Sequence, residues 1–180
     1  MSGAAPAFPG NISMRVKLVS PSADLSLPEY CVGQASRTCV YPGIAQCFAI
    51  AGWTKGGMLC THVSPGATSE EMAATFEHLR NLGGDQAQRW YVVGPFTEHF
   101  AVTKAQWRSV EAIKKTFKQL KNKNAERWIL DVTAERQAFS WGIDIQSTPC
   151  DWAPVIYFDY RKWGSKGGWT DLKVHKFVRF

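Results

Sequence analysis

Two apolar runs separated by four residues constrain the fold of this chain more than any other feature. Residues 46–53 (QCFAIAGW) and 58–63 (MLCTHV) both have strand-like composition, and the link Thr54-Lys55-Gly56-Gly57 carries paired glycines able to take the positive φ of a hairpin. Antiparallel pairing across that link sets the start of the first run beside the end of the second. Cys47 and His62 therefore fall at the same end of the hairpin.

The flanking patterns predict an α+β fold. Residues 14–19 (MRVKLV) alternate apolar and basic side chains, the period of a half-buried strand, and residues 20–28 read as loop. After Pro65, Thr68 and Glu71 stand at capping-box spacing. Met72, Phe76, Leu79 and Leu82 then recur at helical intervals up to Gly83-Gly84. A short strand is expected at residues 90–93 and a second helix over about residues 105–121, burying Trp107, Val110, Ile113, Phe117 and Leu120, with Lys114, Lys118 and Lys121 on another face. Residues 128–132, 139–145, 155–160 and 172–180 are strand-like. With about seven strands and two helices, the expected architecture is a mixed, mostly antiparallel β-sandwich with flanking helices. Residues 1–13, rich in Gly, Ala and Pro, read as a flexible lead-in, and residues 14–180 as a single domain.

Bulk properties narrow the function classes. The longest apolar stretch, residues 44–53, is interrupted by Gln46 and Gly52, so no membrane span is expected. The first residues lack the basic n-region and apolar h-region of a secretory leader, which fits a cytoplasmic protein or one exported without a cleaved signal. Five cysteines, Cys31, Cys39, Cys47, Cys60 and Cys150, are an odd number, better suited to a reducing compartment than to a disulfide scaffold. They lack the short C-x2-4-C spacing of structural zinc, and neither metal nor cofactor is expected. The net charge of +6 sits in the second part of the chain: residues 1–100 carry 6 basic and 7 acidic side chains, and residues 101–180 carry 15 and 8. A basic half of this kind attracts acidic partners, although a solvated helix face accounts for such lysines as well.

Cysteine is a nucleophile only as thiolate, and a neighbouring imidazole both takes its proton and stabilises the charge. Cys47 and His62 fit that requirement, with Cys47 expected to be exposed at a strand start after the Pro-Gly turn of residues 41–46, and its backbone N–H a candidate oxyanion donor. Cys60 alternates with Met58 and His62 and is a competing nucleophile. His78, His99 and His175 have no evident partner.

The order of turn, cysteine, apolar strand, Gly-Gly hairpin, strand with histidine, proline and helix resembles the CheD chemoreceptor glutamine deamidases. It is more distantly similar to the catalytic domains of the cytotoxic necrotizing factor toxins and Burkholderia lethal factor. The residues that carry the resemblance are Gly43-Ile44-Ala45-Gln46-Cys47-Phe48-Ala49-Ile50, Gly56-Gly57-Met58 and His62-Val63-Ser64-Pro65, within roughly residues 40–160. The resemblance implies a CheD/toxin-type deamidase fold and a protein glutamine deamidase with Cys47 as nucleophile and His62 as base, acting on an exposed glutamine of a protein substrate. CheD-like chains have a Gly-Ser pair before the cysteine and a threonine six residues before it that orients the histidine. This chain has Gln46 and Tyr41 there, which makes the Tyr41 hydroxyl or carbonyl the candidate third member. The toxin side of the resemblance implies an effector delivered to a host cell. The reading from another class is a non-catalytic basic module binding nucleic acid or an acidic protein, with Trp163 and Trp169 available for stacking but no recognised nucleic-acid signature.

Overall fold

A computed structural model of the chain describes residues 14–96, 110–133, 143–148, 155–159, 169–171 and 178–179. The lead-in expected over residues 1–13, together with Trp107, His99, Cys150, Trp163 and His175, lies outside the described residues. The chain is α+β and mostly antiparallel. Its strands are β1 (Lys17–Leu18), β2 (Ser22–Ser26), β3 (Cys31–Ile44), β4 (Phe48–Thr54), β5 (Gly57–Val63), β6 (Arg89–Gly94), β7 (Glu126–Asp131), β8 (Ile143–Thr148), β9 (Val155–Asp159), β10 (Trp169–Asp171) and β11 (Val178–Arg179). Two α-helices accompany them among the described residues, α1 (Ser69–Asn81) and α2 (Val110–Phe117). No helix among the described residues is long and apolar enough to cross a membrane.

All eleven strands belong to one sheet, ordered β10-β9-β8-β3-β5-β4-β6-β7-β11, with β1 and β2 on β3. The expected sandwich of separate sheets is corrected by the register of β3. Ala35 pairs with Ser22 of β2 and Met58 of β5, whereas Cys39 pairs with Leu25 of β2 and Ser147 of β8. Because β2 runs along one edge of β3, β5 and β8 must follow one another along the opposite edge. The sheet therefore forks at β3 into two wings, and one apolar cluster lies between them: Cys39, Tyr41, Ile44 and Ile145 pack with Ala49, Ala51, Cys60, Tyr91 and Val93.

The hairpin forms as the sequence predicts, with β4 and β5 antiparallel and Thr54 opposite Gly57. β6 pairs with β4, and β7 runs parallel to β6, an arrangement that needs a crossover connection, within which α2 lies. The second cluster fills the other face of β4, β5 and β6, where Phe48, Ile50, Leu59, Trp90 and Val92 meet Met72, Phe76 and Leu79 of α1 and Ile113 and Phe117 of α2.

Helix α1 begins at the expected place. Thr68 accepts from the Glu71 N–H at 3.2 Å, and Glu71 Oε2 accepts from the Thr68 N–H at 2.9 Å. Glu71 has a second task, because Arg15 donates from Nε to its Oε1 and from Nη2 to its Oε2, each at 2.7 Å, which ties the segment before β1 to the helix. The Arg15 guanidinium holds the Glu71 carboxyl down at about 2, against an ordinary 4.5. A depressed carboxylate stabilises the fold above its unfolded pKa and loses that contribution as pH falls through its folded pKa. An Arg15→Met chain should therefore unfold at lower urea than the wild type at pH 6, with the two midpoints converging as pH falls from 4.5 toward about 2. A constant gap across that range would remove the ion pair from the explanation.

Candidate active site

The hairpin register places the two sequence candidates on one face. Ala49 is opposite His62, and Cys47, two residues before Ala49, clusters with Ala49 and Ala51 between the wings. Cys47 is 3% exposed and His62 1%. The expectation of an exposed cysteine at the strand start is thus corrected: its side chain turns inward with those of Ala49 and Ala51, while Gln46 beside it faces solvent.

A carbonyl orients the imidazole. His62 Nδ1 lies 2.8 Å from the Leu27 carbonyl oxygen, a contact that requires Nδ1 to carry the proton. Nε2 is then left with its lone pair, and it is buried with no hydrogen-bond partner among the described residues. Burial pushes the His62 pKa below 6.5, against the opposing pull of the Leu27 carbonyl and the Glu29 carboxylate, so the ring is a neutral base at neutral pH.

Tyr41, expected as the orienting group, is occupied elsewhere. Its hydroxyl donates to the Ile50 carbonyl at 3.2 Å and accepts from Ser147 Oγ at 3.2 Å, while its ring meets His62 edge-on with centroids 6.4 Å apart. It packs against the imidazole without holding either ring nitrogen. The reason is the long β3, which carries Tyr41 across the inter-wing core to the backbone of β4.

The thiol has a partner that the spacing of Cys47 and His62 does not reveal. Cys47 Sγ donates to Glu29 Oε1 at 3.2 Å. Glu29 itself is exposed, so its carboxylate reaches from the surface down onto a buried sulfur. The Ser64 hydroxyl, the Cys47 thiol and the charges of His62 and Arg15 outweigh desolvation and hold the Glu29 carboxyl below the usual range. Leu27 and Glu29 belong to the short segment between β2 and β3, which is pinned around His62 on both sides: Leu27 N–H donates to Val40, and Tyr30 N–H donates to the His62 carbonyl, both at 2.9 Å. Tyr30 adopts φ +65°, a left-handed conformation that costs a non-glycine residue about 1–2 kcal/mol. The Arg15 guanidinium, 4.1 Å from the Tyr30 ring centroid, packs over that turn. The sequence signal for Glu29 is slender: an acid set between Leu27-Pro28 and Tyr30-Cys31, at a chain reversal.

Cys60 shares the inner face with Met58, as alternation requires, but is fully buried, with Sγ 3.6 Å from the Met58 carbonyl oxygen. Burial, with Cys60 beside it, pushes the Cys39 thiol well up, which does not suit Cys39 to nucleophilic work. His78 lies half-buried on α1, away from this cluster. No group of three metal-ligating side chains converges among the described residues. The basic half presents Lys115, Lys118, Lys121 and Lys123 to solvent at and after α2.

No protein-family model matches the chain, and no curated protein or solved structure matches it.

Proposed function

We propose that the chain is a cysteine hydrolase, and specifically a protein glutamine deamidase of the CheD and necrotizing-factor toxin type, acting through Cys47 and His62. The observation that carries this reading is the state of His62. Its Nδ1–H is spent on the Leu27 carbonyl, so Nε2 is a desolvated lone pair on the same face and at the same hairpin end as a thiol. The resemblance around residues 43–50 and 56–65 supplies the substrate class, a primary carboxamide.

In the reaction, the Cys47 proton passes to His62 Nε2 and the thiolate attacks the glutamine carbonyl carbon, with the Cys47 N–H donating to the developing oxyanion. The C–N bond breaks as His62 returns the proton to the departing ammonia. Water then adds to the thioester, losing a proton to His62, and the C–S bond breaks as His62 passes that proton to Cys47 Sγ; the glutamic acid released ionises to glutamate. An amine in place of water would make the same site a transglutaminase. Thiol and imidazole are not hydrogen-bonded to each other in this structure; such contacts commonly tighten only with substrate bound.

A mixture of glutamine-containing peptides incubated with the wild type should show amide-to-acid conversion by mass spectrometry, with ammonia released in equal amount. Cys47→Ser should abolish both. Peptides and intact proteins that the wild type converts no faster than Cys47→Ser does would refute the assignment. Generic polynucleotide binding to the lysines following α2, steep in salt, would then favour the basic-module alternative.

A further inference from the structure

We propose that Glu29 is a specificity-determining residue of this site: its carboxylate selects an uncharged carboxamide and rejects a carboxylate. The inference rests on the deamidase reading and names the group that reads the substrate's charge. Glu29 Oε1 lies 3.2 Å from Cys47 Sγ, so any acyl carbon within bonding reach of that sulfur has its substituents beside a carboxylate. The –NH2 of a primary amide can donate to Glu29, whereas the oxygen of an acid can only accept and brings a second negative charge.

Three features mark this as a built site. Glu29 is ionised at neutral pH, its carboxyl held low by Ser64, Cys47 and the nearby positive charges. Its position is fixed by the Leu27 and Tyr30 backbone bonds and by a left-handed turn at Tyr30, a conformation retained against its cost. It is also exposed, while Cys47, whose thiol it touches, and His62 are buried, so the carboxylate joins the surface to the sulfur.

The consequence for turnover is directional. Amide approaching Cys47 exchanges the thiol's hydrogen bond to Glu29 for its own N–H donation, which frees the sulfur to lose its proton to His62. Ammonia has already left when the thioester forms; after hydrolysis the product acid loses its proton to solvent, and its carboxylate lies against Glu29 and is repelled. Glu29 forms and breaks no covalent bond in the sequence.

The test needs no identified protein substrate. Iodoacetamide carries a primary carboxamide and iodoacetate is its carboxylate counterpart; both alkylate Cys47 by the same displacement of iodide. Site-resolved mass spectrometry gives the ratio of the two rates at Cys47, referred to the same ratio for a small free thiol. In the wild type that ratio should exceed the reference by about tenfold, and in Glu29→Gln, which keeps the shape and the capacity to bond Ser64, it should fall to the reference. Glu29→Asp, which keeps the charge, should retain the preference. An unchanged ratio in Glu29→Gln, or a wild-type ratio equal to the reference, overturns the proposal while leaving the deamidase reading intact, provided Cys47 labelling still depends on His62. Labelling of Cys47 that is absent, or indifferent to His62→Gln, sinks the deamidase reading and this inference with it.

Discussion

A Trp90→Ala chain is expected to lose about 3–5 kcal/mol of folding stability relative to the wild type, the range for deleting a fully buried large aromatic side chain. Trp90 is 0% exposed on the helix-covered face of β6, and the indole meets the Phe117 ring of α2 at 5.5 Å between centroids. Its Nε1–H has no acceptor among the described residues, so its contribution is that of buried apolar area and close packing. The packing is close because the neighbouring strand makes room for it. Gly52 is paired with Trp90 across β4 and β6, and a Cβ placed on Gly52 would lie 2.3 Å from the indole ring. Gly52→Ala should therefore destabilise by about 1–3 kcal/mol on its own, as overpacking does. In a Trp90→Ala background the methyl group enters the vacated space, and most of that penalty should disappear. Urea midpoints of the two single variants and the double variant measure the coupling directly. Additive losses, or a Trp90→Ala loss below about 1 kcal/mol, would mean that the core between β6 and α2 is not packed as described.

The same contrast between local and distant causes explains what the sequence reveals. The β4–β5 hairpin and helix α1 are legible because each rests on a local rule: alternation around Lys55-Gly56, and the reciprocal Thr68–Glu71 cap. β3 is hidden because Pro42-Gly43 mimics a turn. In the fold it is an irregularity near the end of a 14-residue strand, where the pairing with β8 shifts register between Tyr41 and Ile44 and Gly43 takes φ +67°. β2 (SADLS) is mostly exposed and polar, and it becomes a strand only because β3 offers it an edge. The forked sheet follows from β3 alone, so missing that strand makes a sandwich of two sheets the natural expectation. The site divides along the same line. Cys47 and His62 are brought to one face by hairpin register, but the carbonyl that orients His62 and the carboxylate that meets Cys47 come from residues 35 and 18 positions away, on a segment without periodicity. Tyr41 is drawn into the core by β3 pairing, which no local spacing records.

The largest functional effect is expected at His62, read through the pH dependence of Cys47 alkylation. An ordinary thiol with a pKa near ~8.5 is about one per cent thiolate two pH units lower, whereas a thiol that passes its proton to a neighbouring imidazole is not so limited. At pH 6.5 the wild type should therefore alkylate at Cys47 faster, by up to about 10²-fold, than His62→Gln, whose amide N–H can still donate to the Leu27 carbonyl and keep the segment over the site in place. The shapes of the curves should differ too. The wild-type rate should rise as His62 becomes neutral and then level off, while the variant rate should climb through pH 8 like a simple thiol. Folding stability carries an independent signature of the same residue. Burial lowers the His62 pKa in the folded chain, so protonation favours the unfolded chain; stability is complete above pH 6.5 and declines as pH falls from there toward the folded value. Glu29 and the Leu27 carbonyl oppose the shift without reversing it, and Tyr41 faces the ring with an edge and brings no charge at these pH values. His62→Gln should lack that part of the decline. Equal labelling rates would reduce Cys47 to a core thiol, whereas a lost rate advantage together with a lost pH slope would identify His62 Nε2 as the base in a desolvated site.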